Sequence, residues 1–121
     1  MTRDEYDAFC SSLPAAAFVE QWGGAHVWKV GGKVFAIAWQ EDELAVTFKA
    51  GDIAFEMLRD QPGLRPAPYL ASRGLKWIQN HSADGLSDDE LRAYLRASYL
   101  MVARALPKKT RAALGLVAAQ A

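Results

Sequence analysis

The sequence predicts an α+β domain with the element order α-β3-α-β2-α, in which an antiparallel sheet carries helices on one face. Thr2 is followed three residues later by Glu5, and Ser87 by Glu90. Such pairs form capping boxes, so they predict the N-termini of the first and last helices. The pair Gly31-Gly32 separates two strand-like segments and suits a tight hairpin turn, which predicts the sheet. The 121 residues fit one domain, spanning residues 1–121.

The first helix continues from Thr2 with an apolar face at helical spacing, formed by Tyr6, Phe9, Cys10 and Leu13. Pro14 lies near the natural end of this helix. We interpret Cys10 as a core residue, because the neighbouring sequence supplies no base that would activate a thiol.

The central strands lie between residues 25 and 49, and the Gly31-Gly32 turn predicts their register. It places Trp28 opposite Phe35, and the polar connection at residues 40–43 places Trp39 near Leu44. Strand periodicity then sorts the side chains onto two faces. The predicted core face carries Trp28, Phe35, Ile37, Trp39, Leu44, Val46 and Phe48. The other face is small and edged with lysine, and carries Val27, Lys29, Val34, Ala36, Ala38, Ala45, Thr47 and Lys49.

The second half of the chain predicts a short helix, two strands and a long helix. The short helix opens at Gly51-Asp52 and turns toward the sheet with Ile53, Ala54, Met57 and Leu58. Strands are expected around residues 64–69 and 75–79, with the first at an edge because it contains Pro66 and Pro68. The long helix has an inward stripe of Leu91, Leu95, Ser98 and Val102, and Pro107 ends it or starts a last turn through residue 114.

Composition limits the class of protein. Fourteen basic residues balance fourteen acidic ones, whereas proteins that bind phosphates are usually basic overall. This balance counts against strong nucleic-acid binding but allows a local basic face. The single cysteine cannot form an internal disulfide, which indicates a reducing compartment. The first residues contain no apolar signal segment, and no run approaches the ~18 apolar residues of a membrane span, so we expect a cytoplasmic protein with no membrane partner.

Catalytic and metal-binding patterns are absent from the sequence. His26, His81 and Cys10 have no ligand spacing on one element. We interpret His26 as a satisfied histidine at the rim of the core and His81 as a solvated loop residue. Ser72 and Ser98 are the serines that merit attention as nucleophiles, yet neither lies in a Gly-x-Ser-x-Gly elbow. We therefore expect no enzyme activity, no metal and no cofactor.

Basic residues form two groups along the chain. The first could form a patch at one end of the sheet and comprises Lys29, Lys33, Lys49, Arg73 and Lys76. Its alternative explanation is an ordinary solvated sheet edge, which lysines commonly protect. The second comprises Arg104, Lys108, Lys109 and Arg111. Its simplest explanation is the dipole at a helix C-terminus, which favours cations.

Several motifs fall in order over nearly the whole chain: Val27-Trp28-Lys29-Val30-Gly31-Gly32-Lys33-Val34-Phe35-Ala36, Val46-Thr47-Phe48-Lys49, Pro68-Tyr69 with Lys76-Trp77, Ser98-Tyr99, and Leu106-Pro107-Lys108-Lys109. Together they resemble the MmcQ/YjbR family. The resemblance implies an α-β3-α-β2-α two-layer sandwich like that of secretion chaperones, and a DNA-binding role that rests on likeness to double-wing domains. Gly51-Asp52 replaces the acidic residue and proline that the family usually has there, a departure that affects a helix cap.

Three functions remain open at this point. The first is a monomeric nucleic-acid-binding module that contacts the phosphate backbone through the five residues of the first basic group. The second is a protein-interaction adaptor, in which the flat face with Val34, Ala36, Ala45 and Thr47 accepts a partner helix or peptide. The third is an enzyme or small-ligand binder, which a deep polar pocket would reveal.

Overall fold

The computed structural model describes residues 1–70 and 73–116. Its elements follow the order α-β4-α-β2-α-α, which adds a first strand and a separate last helix to the predicted order. The helices are α1 (Arg3–Ser11), α2 (Asp52–Leu58), α3 (Asp88–Ala105) and α4 (Lys108–Ala113). The strands are β1 (Ala16–Gln21), β2 (Ala25–Val30), β3 (Lys33–Gln40), β4 (Leu44–Lys49), β5 (Leu64–Pro66) and β6 (Trp77–Asn80).

The six strands form one antiparallel sheet in the order β1-β2-β3-β4-β6-β5. One face of this sheet and the helices α1, α2 and α3 enclose a single hydrophobic core. The α+β class, the antiparallel pairing and the packing of helices against the sheet are confirmed. No helix in the described part of the chain is long and apolar enough to cross a membrane.

Both predicted capping boxes are present. The Thr2 hydroxyl accepts from the Glu5 amide while the Glu5 carboxylate accepts from the Thr2 amide, and Ser87 and Glu90 repeat this exchange at the start of α3. These bonds satisfy amides that the first helical turn leaves without partners. They also lower the pKa of Glu5 and of Glu90, because an amide donor stabilises the ionised carboxylate.

The strand β1 was missed by the sequence analysis. It is an edge strand that ends at the turn formed by Trp22, Gly23 and Gly24, and its Phe18 remains 47% exposed. None of its six residues is fully buried, so apolar alternation along the strand is weak and gives little signal. Pairing with β2 and ring contacts from Phe18 to His26 and Trp28 hold it in place.

A β-bulge in β3 shifts the predicted register. Close to the Gly31-Gly32 turn the pairing is as predicted, but Trp28 pairs with Ala36 and not with Phe35. The extra residue, Phe35, stands outside the β2–β3 pairing, so Phe35 and Ala36 both belong to the core.

The bulge exchanges the two faces of β3 beyond it. Ala36 and Ala38 join the core, while Ile37 and Trp39 lie half-buried on the opposite face, so their predicted core positions were wrong. The β3–β4 connection is also one residue shorter than predicted, because Gln40 rather than Trp39 pairs with Leu44. A one-residue slip reverses the direction of every later side chain in a strand.

We call the sheet face opposite the helices the open face. One row of cross-strand neighbours runs along it through all six strands and consists of Val19, Val27, Ile37, Thr47, Gln79 and Arg65. Val27, Thr47 and Gln79 are buried in the middle of this row.

The short helix α2 also differs from the prediction. It buries Phe55 and Leu58, whereas Ile53 and Met57 are exposed, so only Leu58 was assigned correctly among the large residues. The helix buries the stripe that contains its aromatic ring, because that stripe removes the most apolar area from water. The strand β5 lies at the sheet edge, as Pro66 predicts, but it ends at Pro66 and is shorter than predicted.

Polar side chains fasten α1 to the sheet beneath it. The carboxylate of Asp7 accepts from the Trp28 indole at 2.9 Å, and its other oxygen lies 2.7 Å from His26 Nδ1. The Tyr6 hydroxyl donates to the His26 carbonyl at 2.9 Å. His26 is therefore a half-buried, satisfied histidine, as predicted.

Candidate nucleic-acid interface

The predicted basic residues of the sheet lie near one of its ends, which we call the basic end. Lys33 begins β3 directly after the β2–β3 turn, and Lys29 lies just before that turn. Lys49 ends β4 and pairs with Trp77, whose neighbour Lys76 precedes β6. Because the strands are antiparallel, these four positions lie at the same end of the sheet.

Their surroundings differ. Lys33 is exposed, while Lys29 and Lys49 project from the open face and are half-buried. The Lys76 ammonium lies 2.9 Å from the Asp52 carboxylate, which offsets its charge. Arg73 is exposed in the loop that leads to Lys76. The basic end therefore presents several cations to solvent, of which Lys76 already has an acidic partner.

The structure brings the second basic group to the same end. A Cβ added to Gly31 would lie 2.6 Å from Leu106 Cδ1, so the α3–α4 junction packs on the β2–β3 turn. Arg104 lies just before this junction, and the exposed Lys108 and Lys109 lie just after it. Sequence reasoning treated the two groups separately, because nothing in the sequence indicates the contact between Gly31 and Leu106.

The helix dipole explains only part of this second group: Arg104 lies in the last turn of α3, as predicted, and Arg111 in that of α4. Lys108 and Lys109 begin α4, and only Arg111 lies in its last turn. A helix N-terminus is electropositive and disfavours lysine. The dipole account was therefore wrong for these two lysines, and their charges reinforce the basic end.

Acidic residues concentrate at the opposite end. Glu41, Asp42 and Glu43 form the β3–β4 turn, and a surface groove there is lined by Asp42, Glu43, Asp88 and the N-terminal Met1. The N-terminal ammonium lies 2.9 Å from the Asp88 carboxylate and lowers the pKa of Asp88. A formal net charge of +0 thus conceals a molecule with a basic end and an acidic end.

The residues examined for covalent chemistry have structural surroundings. Ser98 is fully buried, and its hydroxyl donates to the Phe35 carbonyl at 2.7 Å and accepts from the Lys49 amide at 2.9 Å. Cys10 is a core residue, as predicted, and burial raises the pKa of its thiol, which disfavours the reactive thiolate. Ser72 lies outside the described residues.

A second surface feature lies on the open face, and we call it the aromatic groove. It has a volume of about 630 Å³ and is lined by Trp22, Ile37, Trp39, Thr47, Tyr69 and neighbouring residues. The sequence analysis missed it because Trp39 and Ile37 had been assigned to the core. The position of Trp22 beside Gly23-Gly24 was a usable signal, since a large aromatic residue at a turn has no packing reason to be there.

The YjbR family model matches residues 11–101. The chain belongs to the YjbR family. The crystal structure of the Deinococcus radiodurans protein DR2400, a DUF419 domain, is similar to this chain. The two share 26% sequence identity and superpose with a TM-score of 0.82, and the match covers 94% of this chain and 88% of that chain. A structural-genomics target from Pseudomonas syringae shares the fold, with 16% identity and a TM-score of 0.68 over 84% of this chain and 99% of that chain. No curated protein matches the chain.

Membership of the YjbR family confirms the resemblance identified from the sequence motifs. The matched region runs from the end of α1 to the second half of α3 and thus includes all six strands. Lys29, Lys33, Lys49, Arg73 and Lys76 all lie within it, whereas Lys108 and Lys109 lie beyond its last residue.

Proposed function

We propose that this YjbR-family protein is a non-catalytic nucleic-acid-binding module that contacts the phosphate backbone of duplex DNA through its basic end. The observation that carries the proposal is the contact between Gly31 and Leu106, which places two basic groups side by side. Neither group alone requires a functional explanation, but together they make a cationic surface on a molecule without net charge. The family's DNA-binding label supports the same assignment.

Charge separation explains how a neutral protein could bind a polyanion. Cations that neutralise phosphates release condensed counterions, and this release drives association. The acidic turn at Glu41, Asp42 and Glu43 lies at the far end of the sheet, so it opposes binding less than acids among the lysines would. It also orients the protein, because only the basic end is attracted to the DNA.

The arrangement favours backbone contacts over reading of bases. The cations lie at strand ends, in a turn and at the start of the short helix α4. Flexible lysines in such positions reach phosphate oxygens, which position a protein without specifying a sequence. We therefore expect weak dependence on DNA sequence and an affinity no better than about micromolar near physiological salt.

Fluorescence anisotropy with a labelled 20-base-pair duplex across a salt series tests the proposal. With four or five phosphate contacts, the logarithm of the association constant should fall with the logarithm of salt concentration at a slope of roughly −4. The double variant Lys29→Glu with Lys49→Glu should flatten that slope by about two units. Lys33→Glu with Lys109→Glu provides a second pair at fully exposed positions.

Arg3→Glu is the matched control. It makes the same charge change per substitution, half that of each lysine pair, at the exposed start of α1, where a helix N-terminus accepts an acid well. Its salt slope should equal that of the wild type. An absence of binding at 20 mM salt would refute the proposal, and equal losses in Arg3→Glu and in the lysine pairs would show that the basic end is not the binding surface.

A further inference from the structure

The aromatic groove of the open face has walls that are held in strained backbone conformations. Among the residues that the structure describes, three other than glycine have positive φ, and two of them, Trp22 at 49° and Tyr69 at 67°, line this groove. Left-handed backbone is unfavourable for bulky residues, and such outliers concentrate at ligand-binding sites. Trp22 is also 57% exposed and Tyr69 86% exposed. Folding gains little from the exposed part of the Trp22 ring, so a bound partner would account for its exposure.

The size of the groove limits its occupant to a short segment of chain. One helical turn with its side chains, 5.4 Å long and 10–12 Å wide, occupies about 500 Å³. The groove volume of about 630 Å³ therefore corresponds to little more than one turn. An extended segment can lay several residues along the sheet face, where Ile37 and Trp39 form an apolar floor.

Charge around the groove favours a cationic partner. Glu41 lines it, and the adjoining pocket adds Asp42 and Glu43 beside the shared residues Trp39 and Arg65. Arg65 is oriented by its Nε, which donates to Gln79 Oε1 at 2.8 Å. Three carboxylates against one guanidinium leave this end of the groove negative. A nucleic acid would meet repulsion here.

We propose that the aromatic groove binds an extended, proline-containing segment of a partner protein that carries a basic residue at the end facing Glu41 and Glu43. Grooves lined by aromatic rings take polyproline-type segments because such segments are preformed and lose little entropy on binding. The rings of Trp22 and Trp39 would contact the prolines, and the carboxylates of the β3–β4 turn would pair with the arginine or lysine. This surface lies toward the acidic end, so both ends of the molecule would bind partners.

Selection from a phage-displayed library of random 12-residue peptides on the full-length protein tests the specificity without assuming a sequence. Selected peptides should be enriched in proline and in arginine or lysine, and depleted in aspartate and glutamate. A synthetic selected peptide should then quench or shift the tryptophan fluorescence. Its arginine-to-glutamate version should bind at least tenfold more weakly, since attraction becomes repulsion.

Variants of the groove separate binding from folding. Trp22→Asn should weaken the selected peptide about thirtyfold, as expected for a central aromatic anchor. Asparagine tolerates left-handed backbone and precedes glycine well in hairpin turns, so this variant should keep the wild-type unfolding midpoint. Glu41→Lys with Glu43→Lys should weaken the basic peptide and reverse its dependence on salt, because repulsion then replaces attraction and salt screens it. Met57→Asn, an exposed residue of α2, is the control and should bind normally.

Several outcomes would overturn the proposal. Selection that enriches neither proline nor basic residues would do so, as would peptide affinity unchanged by Trp22→Asn. If an oligothymidylate strand displaces the peptide from the wild type and does not bind the Trp22→Asn variant, the groove is instead a surface on which bases stack. Duplex binding at the basic end should persist in Trp22→Asn, so failure of this proposal is distinguishable from failure of the DNA-binding one.

Discussion

Replacing Ser98 by alanine is the most informative single perturbation of this fold. The last β3–β4 pair toward the basic end is Ala36 with Phe48, and continuing that register would next pair Phe35 with Lys49. The bulge displaces Phe35, and the Ser98 hydroxyl from α3 stands between the two strands instead. One hydroxyl therefore replaces a missing ladder bond and joins the long helix to the sheet.

The expected magnitude follows from the two bonds. Ser98→Ala leaves a buried carbonyl on Phe35 and a part-buried amide on Lys49 without this partner. Each unsatisfied buried group costs about 1–3 kcal/mol, and the part-buried Lys49 amide lies at the low end of that range. The free energy of unfolding should therefore fall by about 2–4 kcal/mol. For a chain of this length, about 4 °C in Tm corresponds to 1 kcal/mol, which predicts a decrease of about 8–16 °C.

Urea unfolding followed by tryptophan fluorescence and far-ultraviolet circular dichroism provides the measurement, with hydrogen exchange at the Lys49 amide as a local probe. Ser11→Ala is the matched control, because the Ser11 hydroxyl is exposed and donates only to the Ala8 carbonyl. That variant should change stability by less than about 0.5 kcal/mol. Equal effects of Ser98→Ala and Ser11→Ala, with unchanged exchange at Lys49, would refute the bridging role of Ser98.

Two further predictions concern titration. The Ser87 amide lowers the pKa of Glu90, so the charged carboxylate stabilises the folded state above the ordinary value of 4.5, and this contribution is lost as pH falls through the lowered pKa. Glu90→Gln should therefore be less stable than the wild type at pH 7, and the difference in urea midpoint should shrink as the pH is lowered below 4.5. A constant difference across pH would contradict this. Burial raises the pKa of the Cys10 thiol and shields it from solvent. A thiol-specific reagent at pH 8 should therefore modify Cys10 only as fast as the protein unfolds, and urea should accelerate the modification. Immediate modification of the native protein would show that the thiol is accessible.

The family assignment and the helix boundaries were accessible from the sequence, since both rest on local patterns. A capping box involves four consecutive residues, so Thr2 with Glu5 and Ser87 with Glu90 each define a helix N-terminus without contacts to distant residues. The Gly31-Gly32 turn likewise predicts a hairpin wherever it lies, and both glycines have the positive φ that the turn requires. The inward stripe of α3 follows from helical periodicity alone.

The faces of the sheet and the groupings on the surface were decided by tertiary contacts. The bulge at Phe35 is bridged by Ser98, which is 63 residues away in the chain and donates to the Phe35 carbonyl. That single slip moved Ile37 and Trp39 from the predicted core to the open face and created the aromatic groove.

The basic end depends in the same way on packing between Gly31 and Leu106. Periodicity constrains the direction of a side chain relative to its neighbours in one element, and turn chemistry constrains the connection to the next element. Periodicity and turn chemistry do not determine which distant elements pack together. That packing depends on how much apolar area and how many unsatisfied polar groups the whole chain leaves exposed or buried. Local order was therefore set by the sequence around each helix and turn, while the positions of charge and of exposed aromatic rings were set only when α3 packed on the sheet.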